Sequence, residues 1–274
     1  LILLIGSMGV GVGVGGGLFG LNLFTQYQKT TPELNLAKLD NPTPSKIFDT
    51  KGNLLAEIGE ENRKEVKIKD APQDFLNALI STEDSRFYEH HGFDYIRTVK
   101  AALVNLKSGF GSQGGSTLTQ QLIKLTFLDP NEDSLKRKTH EVTLAWELED
   151  MFSKEEILEL YVNKIYMGDG VYGIQTASNH FFGKDLKELT VPQLALLAGI
   201  PNAPSDYNPY DAPELAKQRR DIVLYRMLAT ENITQKEYDK YVATPITEGL
   251  RPAEEARKST MNHVPKEYQL YIDQ

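Results

Sequence analysis

Three polar, glycine-punctuated patches hold the residues that could do chemistry. Glu83-Asp84-Ser85-Arg86-Phe87-Tyr88-Glu89-His90-His91-Gly92 is acidic and aromatic. Gly114-Gly115-Ser116-Thr117-Leu118-Thr119-Gln120-Gln121-Leu122-Ile123-Lys124 couples a glycine pair to hydroxyls, amides and a lysine. Arg137-Lys138-Thr139-His140-Glu141 is a compact cationic cluster closed by an acid. A positioned carboxylate can move a proton, and a guanidinium fork suits phosphate. Residues 1–24 carry no charge and, as a helix, would be about 36 Å long, enough to cross a bilayer core. The combination points to chemistry on a lipid-linked phosphate.

Each patch also has a plainer explanation. On a helix opening after Gly114-Gly115, Thr117, Gln121 and Lys124 share one face, while Leu118, Leu122 and Leu125 repeat one position on and can face a core. A helix N-terminus beside a glycine pair can accept an anion, but a well-capped amphipathic helix accounts for this segment equally well. Arg137 and Glu141, at i and i+4, read either as a surface ion pair worth a few tenths of a kcal/mol or as an oxyanion site. In the second reading Glu141 orients the arginine or holds a divalent cation through oxygen. Glu83 and Asp84 close a helix whose apolar residues are Phe75, Leu76, Leu79 and Ile80. Acids there oppose the macrodipole, and such local conflicts hint at function. His90, His91 and His140 permit a metal site, but no H-E-x-x-H pattern supports zinc.

The elements that must position these residues are almost all helical. Periodicity predicts helices near 73–84, 94–107, 117–127, 134–152, 154–166, 171–181, 191–199, 213–230 and 235–243. Asp70 with Pro72 should start the first, Ser116 or Thr117 should cap the third, and Thr190-x-x-Gln193 and Thr234-x-x-Glu237 read as capping boxes. Residues 46–58 alternate weakly around Asp49-Thr50-Lys51-Gly52-Asn53, a small hairpin. The net charge of −8 argues against a nucleic-acid surface, and the absence of cysteine removes any disulfide framework or thiolate metal site. The organisation expected is a transmembrane helix at 1–24, a linker at 25–45, a globular domain at 46–250 and a further linker at 251–274.

The same residues resemble the glycosyltransferase domain of class A penicillin-binding proteins, glycosyltransferase family 51, over roughly residues 46–250. Five blocks carry the resemblance, in order. They are Glu83-Asp84-x-x-Phe87 through His91-Gly92; Gly114-Gly115-Ser116-Thr117-x-Thr119-Gln120-Gln121; and Arg137-Lys138-x-x-Glu141. Lys154-x-x-Ile157-Leu158-Glu159-x-Tyr161-Val162-Asn163 follows, with Gly168 and Gly173. Ala195-Leu196-Leu197-Ala198-Gly199-Ile200-Pro201 through Pro204, Tyr207 and Pro209 completes the set. One block is weak, whereas five in sequence are specific. The resemblance implies a mainly α fold, with a lysozyme-like helical lobe and a smaller membrane-facing jaw lobe that includes 95–115, preceded by the transmembrane helix.

Further implications concern the reaction. The family polymerises lipid II into β-1,4 glycan strands at the outer face of the bacterial membrane, by inverting displacement of a polyprenyl pyrophosphate. Glu83 matches the general base. Glu141 matches the second acid, near the pyrophosphate, where Mg²⁺ or another divalent cation is a candidate. Lys124, Arg137 and Lys138 match the charge clamp, and Ser116, Thr117 and Gln121 the donor site. Asp84 counts with the substrate-binding set but reads best as a brace for Glu83, and Tyr161, Asn163 and Tyr166 read as supports. Implied partners are lipid II and the growing lipid-linked glycan, the membrane, moenomycin-type inhibitors and a cell-wall synthesis complex, with no nucleic acid and no organic cofactor. The implied location is the bacterial cell membrane, single-pass, with the catalytic domain outside. One departure is the lack of an S-x-x-K serine and a K-T-G triad, so the transpeptidase chemistry of class A proteins is absent from these residues. Two rivals remain: a glycan-cleaving enzyme with Glu83 as general acid, which would not need Lys124 and Arg137, and a non-catalytic membrane-anchored scaffold.

Overall fold

The computed structural model describes residues 22–40, 45–48, 51, 54–58, 64–108, 114–129, 131–132 and 134–260. Residues 22–28 are helical, and ten further α-helices follow among the described residues. These are α1 (Gln73–Glu83), α2 (Tyr95–Ser108), α3 (Leu118–Thr126), α4 (Ser134–Met151), α5 (Lys154–Lys164), α6 (Ile174–Phe182), α7 (Val191–Gly199), α8 (Pro213–Ala229), α9 (Gln235–Val242) and α10 (Ala253–Thr260). The two strands, β1 (Ser45–Phe48) and β2 (Leu54–Ile58), form an antiparallel hairpin with a register irregularity between Ile47 and Phe48. The protein is thus mainly helical. The expected membrane span lies outside the described residues except for 22–24, and no described helix is long and apolar enough to cross a membrane.

Two compact units emerge, Leu1–Leu39 with Arg86–Tyr161, and Asp40–Ser85 with Val162–Gln274. In the first unit the centre is the pair α3 and α4, which pack on each other. Thr117 starts α3 through a capping box: its hydroxyl accepts the Gln120 N–H at 3.1 Å while the Gln120 side chain accepts the Thr117 N–H at 3.0 Å. Leu118, Leu122 and Ile123 are fully buried, but Leu125 is half exposed. The periodic pattern continues to Leu125 while burial stops at Ile123, so the last turn of α3 projects beyond the packed part of the unit. In α4, Val142, Leu144, Ala145 and Leu148 are buried, each large side chain contributing about 1.5–3 kcal/mol.

The second unit is built on α1, α7 and α8, each of which packs against the other two. Every residue of α7 from Pro192 to Gly199 is buried, which is what a helix apolar all round requires. From α1 come Phe75, Leu76 and Leu79; from α8 come Ala216, Val223, Leu224 and Met227. The capping boxes at Thr190 and Thr234 are present. At the start of α1 Pro72 is the N-cap, while Asp70 sits in a separate 3₁₀ turn with its carboxylate 3.4 Å from Lys187. Asp70 therefore does not cap α1; a chain that must turn before Pro72 places it one turn too early. Helix α10 lies in a stretch expected to be a linker, and packs on α6. Its sequence, Ala-Glu-Glu-Ala-Arg-Lys-Ser-Thr, offers almost no apolar periodicity to read.

Candidate active site

A cavity of about 330 Å³ opens in the first unit, lined by Ser116, Gln120, Gln121, Lys124, Ser134, Arg137, Lys138 and Glu141. Its walls are Ser116 with the face of α3 from Gln120 to Lys124, and the first two turns of α4. Three cations line it against one acid. Lys138 Nζ lies 2.7 Å from Glu141 Oε2 and donates to Ser116 Oγ at 2.8 Å, so one lysine ties two of the sequence patches together. Arg137 Nε is 3.7 Å from Glu141 Oε1, beyond hydrogen-bond length. Glu141, with only 6% of its side chain exposed, therefore orients Lys138 more closely than the i, i+4 arginine the spacing singles out. Tyr161 donates its hydroxyl to Gln121 Oε1 at 3.0 Å and fixes that amide, in line with the supporting role expected of Tyr161.

Thr117 is placed elsewhere. It is fully buried, caps α3 and donates to the Gly92 carbonyl at 2.7 Å, so its hydroxyl is spent inside the unit and does not line the cavity. Gln120 and Ser134 do line it, and the sequence reading passed them over. Gln120 was part of a block and its spacing from Lys124 was the usable signal; Ser134 shares a face with Lys138 and Glu141 only once the start of α4 is known. His140, beside Glu141, is directed away to structural work: Nδ1 is 3.2 Å from Glu132 Oε2, and Nε2 is 3.1 Å from the Tyr27 carbonyl and 3.3 Å from Thr30 Oγ1.

The rest of the first block also supports structure. Gly92 adopts φ +67°, and a Cβ there would lie 2.7 Å from the Ala145 backbone, so the loop rests directly on α4. Lys154, from the fourth block, pairs at 2.7 Å with Glu149, whose side chain is 2% exposed, and lies 4.5 Å from the centre of the Phe87 ring. Glu149 also accepts a hydrogen bond from Thr119. Tyr88 is exposed by about half, and its hydroxyl is pushed above the usual tyrosine range by partial burial and then by Glu155.

Glu83 and Asp84 belong to the second unit, because the division falls within the first block, after Ser85. Glu83 is the last residue of α1 and Asp84 its C-cap. Asp84 has no exposed surface, which suits a brace and removes it from direct contact with substrate. The Glu83 side chain is 10% exposed, and its Oε1 lies 2.7 Å from the guanidinium of Arg219 on α8, a partner the five blocks do not include. The available signal was positional: Arg219 and Arg220 interrupt the stripe Ala216, Val223, Met227 that faces the core. Asn163 brackets Val66, accepting from its N–H and donating to its carbonyl at 2.9 Å each. Tyr166 lies against Tyr172, ring centres 5.0 Å apart. These contacts are of the kind a structural support makes.

Among the described residues no group of three or more His, Cys, Asp or Glu is arranged to hold a metal. Glu141 is the one acid in the cavity. A divalent cation there could take it as a single protein ligand, leaving phosphate oxygens and water to complete the shell.

Comparison with known proteins shows that a family profile described as transglycosylase matches residues 51–228, well over half of the chain. Penicillin-binding protein 1A of Streptococcus oralis is 47% identical over 241 residues, which is 87% of this chain and 38% of that protein. Penicillin-binding protein 1A/1B of Bacillus subtilis (strain 168) is 43% identical over 245 residues, 89% of this chain and 27% of that protein. The chain thus corresponds to well under half the length of these relatives. A crystal structure of penicillin-binding protein 1A from Haemophilus influenzae aligns with a TM-score of 0.44 and 29% identity, covering 75% of this chain and 21% of that one.

Proposed function

Because the chain belongs to the transglycosylase family, glycosyltransferase family 51, whose members are peptidoglycan glycosyltransferases, we propose that it polymerises lipid II into β-1,4 glycan. The observation that supports this most is the cavity in which Lys124, Arg137 and Lys138 face one acid. A glycan hydrolase has no use for three cations, whereas a pyrophosphate leaving group needs its charge neutralised more than it needs a proton.

In the proposed reaction the 4-hydroxyl of the acceptor sugar attacks the anomeric carbon of the donor. The new C–O bond forms as the bond to pyrophosphate breaks, with inversion from α to β, and the bonding pair leaves with the phosphate. Glu83 takes the hydroxyl proton as general base. Lys124, Arg137 and Lys138 hold the developing charge, and Ser116 and Gln121 line the donor site. Glu141 keeps Lys138 in place. Glu141 would be the residue to hold Mg²⁺ or another divalent cation, which would supply further neutralising charge to the pyrophosphate. The proposal extends to the lysozyme-like lobe and membrane-facing jaw at 95–115, to a single-pass anchor at 1–24 with catalysis outside the bacterial membrane, and to the linker at 25–45. It also extends to moenomycin-type inhibitors and a cell-wall synthesis complex as partners.

The test is polymerisation of purified lipid II in detergent by the parent chain and by Glu83→Gln. Long glycan from the parent and only a small residual rate from a folded variant is the expected result. An active variant would remove Glu83 from the mechanism, and release of soluble fragments from finished glycan would favour the hydrolase.

A further inference from the structure

The fifth block, Ala195 through Pro209, is given no role by the proposed reaction. Two of its residues, Gly199 and Tyr207, meet at one side chain. Arg219 Nε donates to the Gly199 carbonyl at 3.1 Å, and the guanidinium carbon lies 5.7 Å from the centre of the Tyr207 ring. The remaining edge of the fork donates to Glu83 Oε1 at 2.7 Å. Gly199 also makes room: a Cβ there would lie 3.0 Å from Arg219 Cγ and 3.5 Å from Val223 Cγ2. Apart from Tyr207, which lies in the turn before α8, these contacts come from the three helices that pack on one another at the centre of the second unit. Glu83 ends α1, Gly199 ends α7 and Arg219 sits in α8.

We infer that Arg219 is the positioning residue for Glu83, and that Gly199 and Tyr207 of the fifth block seat it; the inference rests on Glu83 being the base. A glutamate has three rotatable bonds and loses rotamer freedom when it is fixed. A base must stand within hydrogen-bond reach of the hydroxyl it serves, and misplacement by about 1 Å can cost roughly 100-fold. The planar fork of Arg219, itself fixed by a carbonyl and an aromatic face, holds one carboxylate oxygen at a set place and angle. It also answers the macrodipole at the C-terminus of α1, which disfavours an acid there. When Glu83 accepts the proton its charge disappears and the hold of Arg219 slackens, so the carboxyl can turn and pass the proton to water before the next cycle.

The experiment measures kcat and KM for lipid II in the full chain with Arg219→Ala, Arg219→Lys and Gly199→Ala, each alone and with Glu83→Gln, alongside thermal melts. Arg219→Ala is expected to lower kcat roughly 100-fold, with KM within about threefold, as befits a misplaced base. Arg219→Lys should recover part of the loss, and Gly199→Ala, which pushes on Arg219, should lower kcat in the same direction. The decisive readout is epistasis: in the Glu83→Gln background Arg219→Ala should change the residual rate by less than about twofold, because it acts only through the carboxylate. Arg219→Ala with full kcat, or an equal further loss on top of Glu83→Gln, would overturn the inference. So would a loss that follows the melting temperature and is identical in Arg219→Lys. An active Glu83→Gln is a different failure, that of the base assignment itself.

Discussion

Replacing Gly92 by alanine separates a structural from a chemical reading of the first block. Gly92 sits at φ +67°, where an L side chain costs about 1–2 kcal/mol. A Cβ would also stand 2.7 Å from both the carbonyl carbon and oxygen of Ala145 and 2.8 Å from the Trp146 nitrogen, all backbone atoms of α4 that cannot swing aside. Overpacking of that kind adds about 1–3 kcal/mol, for a total of roughly 2–5 kcal/mol. In a protein of this size that corresponds to a fall in melting temperature of roughly 5–15 °C. The displacement would travel, because Thr117 donates to the Gly92 carbonyl while capping the helix that carries Gln121 and Lys124. Thermal unfolding followed by circular dichroism, with Gly114→Ala as control, is the assay. A Cβ at Gly114 meets nothing within 4 Å, so the control should melt within about 2 °C of the parent. A Gly92→Ala protein that melts with the parent would refute the claim that backbone proximity, and not chemistry, demands this glycine.

Lys138→Ala should lower polymerisation roughly 100- to 1000-fold in kcat while changing stability by under about 1 kcal/mol, since its pair with Glu141 is 41% exposed on the lysine side; parallel kinetics and melts check both halves. Thr117→Val should do the reverse, costing about 1–3 kcal/mol by stranding the Gly92 carbonyl and the Gln120 N–H, with activity restored at low temperature. Asp169 is held below the usual carboxylate range, first by the hydrogen bond from His180 and then by Arg257, against the opposing effect of burial. A depressed folded-state value means that its stabilisation is present above the ordinary value near about 3.9 and is lost as pH falls through the lowered one. Asp169→Asn should therefore melt below the parent at neutral pH, with the gap closing under about pH 4; a gap that persists in acid would contradict this linkage.

All the helices but α10 were legible in the sequence, because they are written in local terms. Apolar residues recur at 3.6-residue spacing, and Thr117, Thr190 and Thr234 bring their capping partners three residues on. It also delivered the cationic cavity, since Arg137, Lys138 and Glu141 lie within two turns of one helix and Lys124 within two turns of another. Helix α10 escaped because its apolar face is only two alanines, Ala253 and Ala256, and Leu125 misled because periodicity records direction but not where the packing partner ends. The tertiary structure alone decided which polar side chains are spent on the fold. Thr117 looks like Ser116 on paper, yet one is buried under the Gly92 carbonyl and the other faces the cavity. Arg219 lies 136 residues from Glu83, and nothing in the local pattern of either joins them. That contact exists because α1, α7 and α8 pack together, and the packing depends on shape and burial summed over three helices, which spacing within any one of them does not encode.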